Sequence, residues 1–79
     1  MKTVQQEWQG YAKAVIPNLK AGSIQYDEMQ KAFYAGTFSM IMNLLEIAEL
    51  SDEQGVIELE KYRQECERFN NQIRSQIKW

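Results

Sequence analysis

Few residues in this chain are equipped for chemistry, and their spacing excludes most of it. The 79 residues contain no histidine, so the commonest general base is missing. A zinc site of Cys and His ligands cannot be assembled either, because Cys66 is the lone cysteine. Gly10, Gly22, Gly36 and Gly55 are isolated from one another, and no phosphate-cradling loop is present. Carboxylates cluster at Asp27/Glu28 and at Glu46, Glu49 and Glu53, where helical spacing would allow weak binding of a hard cation. Such acids are ordinarily solvated helix-surface charges. No enzyme activity, cofactor or metal is expected.

One constellation remains. Gly36 falls in the middle of a long apolar stretch, where glycine costs a helix about 1 kcal/mol relative to alanine. Phe33, Tyr34 and Phe38 flank it, Ala32, Ala35 and Ser39 surround it with small side chains, and Lys31 lies just upstream. A closely packed helix crossing, with Trp8 or Tyr11 filling the notch, is the structural account. The functional account is an aromatic pocket with a lysine at its rim, suited to a nucleotide-like ligand. Trp8, Tyr11, Lys31, Tyr34 and Gly36 are its candidate residues. Cys66 falls on an apolar stripe and is expected to be a buried, inert core residue.

Charge is unevenly placed. From Glu46 to Glu60 there are six acids and no base, whereas Lys13, Lys20, Arg68, Arg74 and Lys78 fall elsewhere. Acids at helix N-termini and bases at C-termini offset the helix dipole. An acidic tip could also engage a basic surface, and Glu49, Asp52 and Glu53 are its candidate contacts. The net charge of −2 and the sparse bases make nucleic acid an unexpected partner.

Three helices must position these residues. Thr3 followed by Gln6 is a capping box, and Val4, Trp8, Tyr11 and Val15 fall on one helical face, with Ala12 and Ile16 widening it. Pro17 disfavours helical geometry at Ile16, which predicts a first helix over 4–16. The second, over 24–50, carries two stripes. Tyr26, Met29, Phe33, Met40, Leu44 and Ile47 form one; Tyr34, Phe38, Ile41, Leu45 and Ala48 form the other. From Phe38 to Leu50 the helix is apolar on nearly every side, and such a helix is covered on more than one side. The surplus predicts a second copy or a partner against Phe38, Ile41, Met42 and Leu45. Ser51-Asp52-Glu53-Gln54 is a second capping box and sends a third helix, 52–77, back as an antiparallel hairpin. Its stripe of Val56, Leu59, Tyr62, Cys66, Phe69, Ile73 and Ile77 averages 3.5 residues per turn, the period of a coiled-coil seam. Each long helix would span roughly 39 Å.

Length and composition bound the rest. A chain of this size forms one marginal domain that needs regular packing or self-association, since it has no disulfide. A lone cysteine suits a reducing compartment. MKTVQQEWQG has no apolar run after its lysine, so no signal peptide is expected. The longest uncharged run, Ala32 to Leu45, is short of the ~20 residues of a membrane span. These features predict a cytoplasmic protein without a membrane partner.

Trp8, Tyr11, Pro17 and the block Gln30-Lys31-Ala32-Phe33-Tyr34-Ala35-Gly36 resemble a group of short phage and prophage proteins without assigned function. Those show a tryptophan–tyrosine N-terminal helix, a proline and an AFYAG block, and end in an acidic helical tail like Leu50 to Phe69. The resemblance covers most of the chain and implies a small accessory protein that blocks a host component, including defence systems. The combined expectation is an all-α protein, a short helix packed on a long antiparallel hairpin, self-associating through the second or third helix. Its function is expected to be non-catalytic, binding and blocking a host protein. Sequestration of a nucleotide-like signal near Gly36 and coiled-coil assembly are the alternatives.

Overall fold

A computed structural model describes residues 1–73, and these form three helices joined by two short connections. Helix α1 spans Val4–Val15, α2 spans Ile24–Ile47 and α3 spans Asp52–Ile73. The architecture is all-α, with no strand among the described residues. Packing divides the chain into two compact units, one reaching through Ser39 and one beginning at Met40, where composition alone predicts a single domain.

The start of each helix is set by a hydroxyl. The Thr3 Oγ1 accepts from the Gln6 N–H at 3.1 Å, and the Gln6 side chain accepts from the Thr3 N–H at 2.9 Å, completing the capping box. The Ser23 Oγ accepts from the Tyr26 N–H at 3.3 Å. The Ser51 Oγ accepts from the Gln54 N–H at 3.2 Å. The second box is not reciprocal: Gln54 Nε2 donates to Glu58 instead, one turn further on.

Helix α1 ends at Val15, one residue before Ile16, which leaves helical geometry ahead of Pro17. Gly22 then takes φ +87°, a conformation that favours glycine, and directs the chain into α2. Helix α2 stops at Ile47 rather than Leu50, because Glu49 and Leu50 donate to carbonyls three residues back and tighten the last turn. Ala48 to Ser51 is therefore a short connection. At ~1.5 Å per residue α2 and α3 are about 36 and 33 Å long. The expected extension of α3 to 77, with Ile77 on its seam, lies outside the described residues.

In the first unit the α1 face predicted from spacing is the docking face. Trp8 is 1 % exposed and Ala12 is buried, with Val4, Tyr11 and Val15 half-buried beside them. Trp8 and Tyr11 meet Tyr26 and Phe33 of α2, which are half-buried, as is Met29. Trp8 is the centre. Its ring lies 5.2 Å from Tyr26, edge to face, 5.5 Å from Phe33 and 5.9 Å from Tyr11. Tyr11 and Phe33 close the cluster at 5.5 Å. The indole N–H donates to the Tyr26 hydroxyl at 3.1 Å, so the one polar atom of the buried ring is satisfied.

The second unit is built differently. Among its described residues only Gly55 is buried, packed against Ile47, whose Cγ2 would lie 3.5 Å from an added Cβ. Met40, Asn43, Ile47, Glu58, Tyr62 and Ile73 are half-buried, and the other apolar side chains are exposed. Cys66 is exposed, against the expectation of a core residue, because this part of the seam has no covering layer. An ion-pair run stiffens α3 instead: Arg63 pairs with both Glu60 and Glu67, and Lys61 with Glu58 at 3.1 Å.

Two stability outcomes follow from this packing. Trp8→Ala removes the hub of the first unit and should cost ~3–5 kcal/mol, read as a lower denaturation midpoint and loss of the near-ultraviolet aromatic signal. An unchanged midpoint would show that α1 does not contribute to the cooperative fold. The Arg63 guanidinium holds the Glu60 carboxyl below its usual 4.5, so this support is present above that value and lost as pH falls through the lowered one. Helicity by circular dichroism should drop on acidification below about pH 4.5, and Arg63→Ala should shrink that step.

Candidate functional site

The structure separates the five candidate ligand residues. Trp8 is enclosed and spends its N–H on Tyr26, so it is a core residue rather than a pocket wall. Tyr11 borders a shallow groove with Lys2, Gln6, Glu7, Gly10, Ala14 and Phe33. Lys31 and Tyr34 border a different open groove with Asp27 and Gln30, one turn apart along α2. The Lys31 ammonium is already paired with Glu28 at 3.3 Å. Gly36 lines neither groove.

The notch at Gly36 is not closed. A Cβ added there would meet no heavy atom within 4 Å, and Ala32, Ala35 and Ser39 around it are exposed. The expected close helix crossing is absent at this point, because α1 docks on the Tyr26–Phe33 face instead. Thr37 does not rescue the glycine either; its hydroxyl donates to the Phe33 carbonyl at 2.8 Å, a bond within α2.

The candidate protein-contact residues behave differently. Of the two stripes on α2, the one through Tyr26, Met29, Phe33, Met40 and Ile47 is half-buried, although Leu44 on it remains exposed. The other is open: Phe38 is 65 % exposed, Leu45 58 %, Met42 49 %, and Ile41 and Tyr34 are also exposed. Helical spacing sets these open residues along one side of α2. Glu49, Asp52 and Glu53 are exposed in the connection and the first turn of α3, and Glu46 is exposed in the last turn of α2. Five of the six acids between Glu46 and Glu60 are exposed, with Glu58 half-buried.

Glu46, Glu49 and Glu53 do not share a helix face, because α2 ends before Glu49 and Glu53 belongs to α3. Among the described residues no three Cys, Asp or Glu side chains converge to hold a metal ion. No described helix is long and apolar enough to cross a membrane. Ile24 of α2 and Ile57 of α3 are exposed apolar residues that the spacing did not single out. Val56 was legible as part of the seam; Ile57 has no periodic signal that marks it.

No family model, curated protein or solved structure matches the chain.

Gly36 supplies the test of this surface. With open space around it, Gly36→Ala should raise stability by ~0.5–1 kcal/mol through helix propensity. Gly22→Ala should lower it by a similar amount, since its φ is positive. Thermal denaturation of the two variants checks both signs, and a destabilised Gly36→Ala would reveal a close neighbour there.

Proposed function

We propose that the chain is a non-catalytic binding protein that engages and blocks another protein through the open side of α2. The observation that carries this reading is the exposure of Phe38, Ile41, Met42 and Leu45 at helical spacing on one side of a single helix. Scattered exposed apolar residues are normal on any protein, but a run of large ones at this spacing is a docking surface. An amphipathic helix presenting anchors at i, i+3, i+4 and i+7 fits an apolar groove of a partner.

The acids beside this stripe define the partner's rim. Glu46, Glu49, Asp52 and Glu53 are exposed next to its C-terminal end, without a base before Lys61. The partner chemistry is therefore an apolar groove bordered by lysine or arginine. Apolar anchors supply affinity in such a contact, while the rim charges steer encounter and set its salt dependence. The absence of histidine and of any converging acid cluster among the described residues leaves no constellation for catalysis. The resemblance of the Trp8–Tyr11 helix and the AFYAG block to short phage proteins supports a host protein as the target.

The test uses the tagged chain expressed in bacterial cells, with three forms compared by affinity capture and mass spectrometry. Phe38→Asp with Leu45→Asp should abolish a specific capture. Glu49→Lys with Glu53→Lys should weaken it and flatten its salt dependence. Both should retain wild-type helicity, since all four positions are exposed. A partner held equally by all three forms would sink this reading.

A further inference from the structure

We infer that the seam of α3 pairs with α3 of a second copy, antiparallel, about a two-fold axis near Gln64. In the second unit no side chain is buried among the described residues. Helices in proteins draw most of their stability from tertiary packing of an apolar face, and these two have no core to supply it. The missing layer must be present whenever the protein is folded, and a second copy of the chain meets that demand without a target.

The seam has the pattern such a partner requires. Leu59, Tyr62, Cys66, Phe69 and Ile73 recur at alternating steps of three and four, the knobs-into-holes period. Leu59 and Phe69 are exposed at 45 % and 58 %, and Cys66 is exposed between them.

Charge decides the direction. From Asp52 to Glu60 α3 carries four acids and no base; from Lys61 to Ile73 it carries three bases and two acids. A parallel pair sets the acidic half against itself. An antiparallel pair sets it against the half with a net positive charge, which gives long-range complementarity. Size agrees with this direction. The antiparallel register places Tyr62 opposite the small Cys66 of the second copy, and Leu59 opposite Phe69.

Sedimentation equilibrium should give twice the 9.3 kDa chain mass at micromolar concentration. A monomer up to on the order of 100 µM, or any other stoichiometry, overturns the pairing. Cysteine cross-linking in a glutathione redox buffer reads the direction. In the antiparallel register two Cys66 residues lie about 6 Å apart along the axis and ~8–10 Å across it, too far for a disulfide. The wild type should remain non-covalent, while Tyr62→Cys should form a disulfide-linked dimer through Cys66 of the second copy. Leu59→Cys with Phe69→Cys, in a Cys66→Ser background, tests the same register at exposed positions if Tyr62→Cys fails to fold. A Cys66–Cys66 dimer of the wild type would establish the parallel arrangement, and a folded variant that forms no cross-link would exclude this register. Either result overturns the inference.

Discussion

The first unit depends on one buried ring. Trp8 touches Tyr11, Tyr26 and Phe33, and its only polar atom is hydrogen-bonded to Tyr26. Helix α1 has 12 residues and includes Gly10, so its own propensity is too weak to hold it. Burial of the indole is what docks it. That docking also fixes which stripe of α2 is covered, because Tyr26 and Phe33 lie on the same side of that helix. Within the same unit, Tyr34 and Phe38 of the other stripe are left open.

The second unit obeys a different constraint. Its connection is short and its closest approach uses Gly55 against Ile47. Beyond that contact, Met40, Ile47, Tyr62 and Ile73 are only half-buried, and α3 carries ion pairs of its own: Arg63 between Glu60 and Glu67, and Lys61 with Glu58. Exposed pairs of this kind add little each, since solvent screens them. A helix supported this way presents its apolar residues rather than burying them.

The grooves bordered by Lys31 and Tyr34 and by Tyr11 are shallow and distinct, and the aromatic residue best suited to hold a planar ligand is enclosed. The residues that remain available are large, apolar and helically spaced, beside a run of acids. Such residues are the material of the docking surface proposed above.

Much of this was legible in the order of residues. Thr3, Ser23 and Ser51 marked the helix starts because a hydroxyl at the N-cap satisfies a backbone donor locally. Pro17 marked the first stop. The α1 face and both stripes of α2 followed from helical spacing, which depends only on neighbours three and four apart. Tertiary structure decided the rest. Spacing identified two apolar stripes on α2 but could not choose between them; in the first unit the Trp8 contact with Tyr26 and Phe33 chose. Gly36 and Cys66 looked like packed positions by composition, yet both are exposed, because packing depends on which distant segment arrives, and among the described residues none does. Residue types within one turn carry capping and periodicity. Coverage of a face is a long-range property, and it emerges only when the chain is folded.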